Sequence, residues 1–349
     1  MRAAGCRTLV DAHQIAMVGL VEVIPGLARV WRAFRRLVAA LDAERPALAI
    51  LIDFPDFNLR LAKKLKRRGV PVLYFVAPQV WAWRRWRVRT IRKYVDRLLC
   101  IFPFEEAFFR TAGVAAEFVG HPLVGRVAPG VTAEEFRRRN GFPEGRPLIA
   151  LLPGSREKEI LLNLPPMLDT ARRLAAERPC TFVLPAASTT SRAWIRRQVA
   201  SSGVALAVVE NCTYDAVAHA QAAIVASGTA AVEAALLGTP MAIVYRVSDA
   251  TWRLGRWMVR TPFYSMVNLV AERLIVPEFI QDQFQPEAVA RAMQELMENP
   301  AAREKMRQEL KEVAARLSRG PENTEPQSED TIQRAAAIAE SMISGRVAR

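Results

Sequence analysis

Along the chain, short aliphatic runs alternate with longer stretches of helical periodicity. "ALAILI" (47–52), "PVLYFV" (71–76), "RLLCIF" (97–102), "LIALL" (148–152), "TFVL" (181–184), "ALAVV" (205–209), "AAIVA" (222–226) and "MAIVY" (241–245) read as strands. They are continuously apolar rather than alternating, the pattern of strands covered on both faces. Between them lie amphipathic stretches such as "LARVWRAFRRLVAALDAE" (27–44) and "MLDTARRLAAER" (167–178). Strands that alternate with helices predict parallel βαβ units, hence an α/β fold of two doubly wound, Rossmann-like blocks. A stretch at 120–147 with five glycines and four prolines reads as the boundary between them. The expected domains are 1–125, 126–320 and a C-terminal piece, 321–349. In that piece a polar segment (318–331) leads into a final helix from about Asp330 to Ile343.

Composition narrows the class. At 349 residues the chain accommodates two domains, and its 51% hydrophobic and 24% charged residues are ordinary for a globular protein. The formal charge of +14 points to an anionic partner without naming it. No apolar run approaches the ~18 residues of a spanning helix, and no signal peptide is visible. The four cysteines (Cys6, Cys100, Cys180, Cys212) are scattered and read as reduced core residues. No two histidines have metal-ligand spacing, so no structural metal is expected; no cofactor is expected either.

Three strand-to-helix turns carry candidate chemistry. In "LIALLPGSREKEI" (148–160), Gly154 lets a ligand approach the backbone, Ser155 can cap the helix and Arg156 can pair with a phosphate. An ordinary turn with a serine N-cap fits the same residues. In "AAIVASGTAAVEAALLGTPM" (222–241), Ser227, Gly228 and Thr229 precede a helix whose first N–H groups attract anions. Glu233, one turn further in, suits the vicinal hydroxyls of a ribose. The plain reading there is capping by Ser227 or Thr229, with Glu233 complementing the dipole; two phosphate-type turns in one half favour a nucleotide. In "ILIDFPDFN" (50–58), Asp53 ends a strand and is a candidate general base if Asp56 or Asn58 caps the next helix; its position alone fits a structural turn aspartate better. His121, in "FVGHP", ends another strand and is a candidate cleft residue. No G-x-S-x-G elbow is present.

These strings, with "GLVEVIPGL", "VAPQVWAWRRWRV", "FPFE" and "NLVAER", resemble the lipid-A-disaccharide synthase family from near residue 5 to near residue 275. The resemblance implies an inverting, metal-independent glycosyltransferase of GT-B architecture, two Rossmann-like domains facing a cleft. Its reaction moves 2,3-diacylglucosamine from UDP-2,3-diacylglucosamine to the 6-hydroxyl of 2,3-diacylglucosamine 1-phosphate, releasing UDP. The resemblance makes Asp53 the catalytic aspartate, Glu233 and Asn268 UDP contacts, and Arg192 a further functional arginine in a looser segment. It also implies a final helix that returns to the first domain or to a partner subunit, with a homodimer as one outcome. Family members begin with a strand and a Gly/Ser turn, so the first domain reads as N-terminally incomplete.

The segment 78–94, "PQVWAWRRWRVRTIRKY", holds three tryptophans and six cations. With acylated substrates implied, Trp81, Trp83 and Trp86 suit a membrane interface; core tryptophans beside a solvated arginine face fit the same residues. Arg84, Arg85 and Arg87, with Arg89, Arg92 and Lys93, suit anionic headgroups or the acceptor's phosphate. "TWRLGRWMVR" (251–260) repeats this chemistry. The expected location is cytoplasmic, peripheral on the inner face of the inner membrane. No RNP or helix-turn-helix pattern supports nucleic acid. Alternatives are another UDP-sugar enzyme of the same fold, a UDP-GlcNAc 2-epimerase or MurG-like transferase, and a non-catalytic membrane-surface binder.

Overall fold

The computed structural model describes residues 4–10, 23–187, 190–200, 202–258, 261–319 and 330–347. The chain forms two compact units, residues 1–119 with 329–349, and residues 120–328. The Gly/Pro-rich stretch 120–147 is therefore not a linker but part of the second unit. It contains helix α5 (Ala133–Asn140), capped by Thr132, whose Oγ1 accepts from the Glu135 N–H.

In the first unit, β1 (Ala49–Ile52), β2 (Val72–Phe75), β3 (Arg97–Cys100) and β4 (Ala116–Phe118) form a parallel sheet in the order β1-β2-β3-β4. Helices α1 (Val23–Glu44), α2 (Pro55–Arg67), α3 (Val88–Tyr94) and α4 (Pro103–Thr111) connect the strands. β2 and β3 are buried as expected, but β1 is not. It is an edge strand, and its Ile50 and Ile52 are more than half exposed on one face. The C-terminal helix α14 (Thr331–Val347) belongs to this unit: the Arg334 guanidinium pairs with Glu117 at 3.7 Å and donates to the Phe118 carbonyl. Of segment 318–331, residues 320–329 lie outside the described residues.

The second unit is a six-stranded parallel sheet of order β10-β9-β8-β5-β6-β7. Its strands are β5 (Leu148–Leu152), β6 (Thr181–Ala186), β7 (Leu206–Glu210), β8 (Ala222–Ala226), β9 (Met241–Tyr245) and β10 (Glu278–Ile280). Helices α6 (Glu157–Glu177), α7 (Arg192–Ala200), α8 (Thr213–Ala218), α9 (Thr229–Leu236), α10 (Asp249–Met258) and α11 (Met266–Ala271) run between them, and α12 (Pro286–Glu298) and α13 (Pro300–Arg319) follow β10. Strand order reverses at β5, which lies between β6 and β8. Loops leaving β5 and β8 therefore part at a switch point, where open α/β sheets bind ligands.

The cysteines are less buried than their scatter suggested. Only Cys100 is core; Cys180 and Cys212 are half-buried and Cys6 is exposed, all as free thiols.

A buried carboxylate ties the tryptophan segment to the first unit's core. Glu105 is fully buried at the start of α4, where Oε2 accepts from the Ile101 and Phe102 N–H groups at 3.3 and 3.2 Å. Its Oε1 accepts from Trp81 Nε1 at 3.0 Å. Burial pushes Glu105 up to about 7 from 4.5, with the Trp81 and backbone hydrogen bonds opposing. The native state thus holds a proton that the unfolded chain releases above pH 4.5. That contribution is complete below pH 4.5 and is lost as pH rises to about 7. His121, pushed down to about 4 by its burial, has the opposite slope. The difference between wild type and Glu105→Gln isolates the carboxylate: unfolding free energies from pH 4.5 to 7.5 should diverge by about 3 kcal/mol. Parallel curves would show that Glu105 ionises normally.

Candidate active site

Asp53 follows β1 at the turn into α2. Asp53 and Phe54 both adopt left-handed backbone, each with φ near 46°. Such conformations cost about 1–3 kcal/mol each and persist where surrounding bonds over-determine them. Here the Asp53 N–H donates to the Phe75 carbonyl at 3.1 Å. The Asp53 carbonyl accepts from Asn58 Nδ2 at 2.7 Å and from the Tyr74 hydroxyl at 2.5 Å. Asn58 Nδ2 also reaches the Ile52 carbonyl at 3.0 Å. The side chain of Asp53 is exposed, and nothing among the described residues pairs with its carboxylate.

Neither expected cap forms. Phe54 is the N-cap residue, without a side-chain cap, and Asn58 points back to the strand end. Asp56 pairs instead with Arg87 and, at 3.4 Å, with Arg84.

Those pairs reshape the reading of the tryptophan segment. Trp81 is buried, donates to Glu105 and packs edge-on against Phe104, so it is a core side chain rather than an interfacial one. Arg87 is nearly buried against Asp56, and Arg85 Nε donates to the Trp81 carbonyl. Trp83 and Trp86 are exposed, 38% and 65%, with the Arg84 and Arg87 guanidinia 4.1 and 5.4 Å from their respective ring centroids. In the second such segment Trp252 is half-buried and Arg253 exposed; its side chains from Arg256 on lie outside the described residues. His121 is also buried: its N–H donates to the Leu317 carbonyl and its Nδ1 accepts from the Leu123 N–H. Burial pushes its pKa down to about 4.

In the second unit, a cavity of about 820 Å³ opens at the carboxyl ends of β5, β6 and β8. Gly154, Ser155 and Arg156 line one side; Ser227, Gly228, Thr229 and Glu233 line the other. The β5–β8 register, with Leu152 opposite Val225, brings the two turns together. No side chain caps α9: Ser227 Oγ donates to the Tyr264 carbonyl at 3.0 Å. Nor does Ser155 occupy the N-cap position of α6; Arg156 does, without a side-chain cap. Gly154 has φ 121°, where a Cβ would strain the backbone and meet Glu159 Oε2 at 2.9 Å. Glu233 is partly buried; burial raises it above the usual carboxylate range, while the Tyr214 hydroxyl, 3.4 Å away, opposes the shift.

Asn268 and Arg192 are not among the described residues that line this cavity. Asn268 is fully buried with its amide saturated. Its Nδ2 donates to the Val276 carbonyl and to Glu278 Oε1. Its Oδ1 accepts from the Ile275 and Val276 N–H groups. It connects toward the pocket through Glu278, which accepts from the Tyr264 and Ser265 N–H groups at 2.9 Å each, while the Tyr264 carbonyl accepts from Ser227. Arg192 does not line the 820 Å³ cavity; it faces Glu210 at 3.5 Å and, with Arg139 and Arg196, lines a separate hollow along β7. Sequence reasoning missed Tyr214, Glu159 and Asp215. Asp215 anchors the pocket wall by accepting from the Gly130 and Val131 N–H groups.

Two parallel-sheet α/β units, with a switch-point pocket in the second, define the GT-B fold that glycosyltransferases and UDP-sugar epimerases share. The family model of lipid-A-disaccharide synthetase matches residues 1–331. The chain belongs to the lipid-A-disaccharide synthase family. A lipid-A-disaccharide synthase of Solibacter usitatus is 48% identical over 318 residues, 91% of this chain and 83% of the relative. Among solved structures, a UDP-N-acetylglucosamine 2-epimerase of Listeria monocytogenes has a TM-score of 0.58 at 12% identity, covering 89% of this chain and 80% of its own. The calicheamicin glycosyltransferase CalG4 has a TM-score of 0.53 at 17% identity, covering 99% and 84%. At those identities the likeness is one of fold. Among the described residues no helix is long and apolar enough to cross a membrane.

Proposed function

We propose that the second unit binds UDP-2,3-diacylglucosamine and that Asp53 of the first unit deprotonates the 6-hydroxyl of 2,3-diacylglucosamine 1-phosphate. The observation that carries this reading is the pairing of the 153–156 turn with the uncapped α9 start, one turn before the partly buried Glu233. A diphosphate suits the N–H groups and Arg156, and ribose hydroxyls suit Glu233. A single in-line displacement at the anomeric carbon inverts its configuration, and the helix N-terminus stabilises the departing UDP. Asn268 supports the site from behind through Glu278. Arg192 has no assigned part in donor binding here.

Both substrates carry acyl chains, so the enzyme works at a membrane surface, in this reading the cytoplasmic face of the inner membrane. Exposed Trp83 and Trp86, with Arg85, Arg89, Arg92 and Lys93, support contact with anionic headgroups. The test is UDP release and disaccharide formation by the purified chain with the two acylated sugars, beside UDP-GlcNAc as donor. Transfer from the acylated donor alone is expected. Equal use of UDP-GlcNAc, or none of either, overturns the substrate reading. Pelleting with phosphatidylglycerol vesicles, weakened by salt and by Trp86→Ala, is expected; salt-insensitive or absent pelleting rejects the membrane contact.

A further inference from the structure

We infer that Glu159 is an internal stand-in for the donor's diphosphate, occupying Arg156 and the Ser155 N–H until a ligand displaces it. This rests on the placement of the diphosphate at the 153–156 turn. Glu159 is the third residue of α6 and folds back over that turn. Its Oε1 lies 2.9 Å from Arg156 Nη1, and its Oε2 accepts from the Ser155 N–H at 3.4 Å. These are the two donors to which the proposed function assigns the diphosphate.

The charge balance of the cavity makes the competition matter. Glu159, Glu233 and Asp215 line it, and among the described lining residues Arg156 is the single Lys or Arg. An incoming diphosphate must take Arg156 from Glu159. The exchange is easy, because the Arg156 side chain is 81% exposed, and exposed ion pairs are weak. A phosphate also offers the guanidinium two parallel hydrogen bonds. After transfer, recapture of Arg156 by Glu159 favours the departure of UDP. Glu159 is thus a residue that weakens product binding.

A third-position glutamate also serves simply to cap a helix start, and glutamine serves there equally. Glu159→Gln therefore keeps the cap and removes the charge. Measured by calorimetry on the full chain, Glu159→Gln should lower the Kd for UDP about threefold to fivefold. It should leave uridine, which has no phosphate, unchanged, and strengthen product inhibition by UDP in parallel. In an Arg156→Ala background the gain should disappear, since no guanidinium remains to be released. An unchanged or weakened UDP affinity in Glu159→Gln overturns the inference and leaves Glu159 a helix cap. If Arg156→Ala alone leaves UDP binding intact, the diphosphate placement beneath the inference fails instead.

Discussion

Asp53→Asn abolishes most transfer, lowering turnover by roughly 10²–10⁴-fold, while UDP binds with unchanged affinity. Asparagine is the informative replacement because the backbone at position 53 is left-handed, with φ 46°. Asparagine tolerates that region better than most residues. The carbonyl of residue 53 still accepts from Asn58 and Tyr74, so the turn survives the change. What disappears is the ability to accept a proton. The carboxylate has no partner among the described residues, so no structural pair is broken. Steady-state rates with both acylated sugars, beside UDP titration of the same variant, provide the check. A variant that retains a tenth or more of its turnover removes Asp53 from the role of base.

The strained turn also shows which parts of the protein are legible from sequence. Asp53 could be placed at a strand end, because an apolar run stops there. Its left-handed conformation could not be read, because Tyr74 and Phe75 enforce it from the neighbouring strand. The eight expected strands all form, but a continuous apolar run does not guarantee burial: Ile50 and Ile52 of β1 are more than half exposed. β10 escaped notice because its three residues are too few to make a pattern, and β4 was glimpsed only as the strand end before His121.

Helix α6 runs through Pro165 and Pro166, although helical periodicity was evident only from Met167. The prolines deprive only the Leu161 and Leu162 carbonyls of their bonds. The two phosphate-type turns were legible because glycine, serine and threonine at the ends of parallel strands have a local signature. The partners of Trp81 and Arg87 were not, since each lies on a distant chain segment, and those of Asn268, seven to ten residues on, depend on how the loop after α11 folds back. A tryptophan among arginines looks interfacial until a buried glutamate claims its N–H.

Asn268→Ala should destabilise the second unit by about 3 kcal/mol or more, a larger effect than loss of a single surface contact produces. The amide makes four hydrogen bonds in a fully buried site. Alanine leaves the Ile275 and Val276 N–H groups and the Val276 carbonyl without it, and deprives the Glu278 carboxylate of its closest donor. Each stranded buried group costs about 1–3 kcal/mol. The loss also spreads toward the pocket. Glu278 holds the Tyr264 and Ser265 N–H groups, and the Tyr264 carbonyl holds Ser227. UDP affinity should therefore fall together with the unfolding midpoint, and Ser227→Ala in the same background should add little. A direct ligand contact predicts the opposite pattern. Asn268→Ala would then lose UDP while its denaturant unfolding curve stayed where the wild type's lies. The two measurements on one variant separate a residue that touches the nucleotide from one that holds the wall behind it.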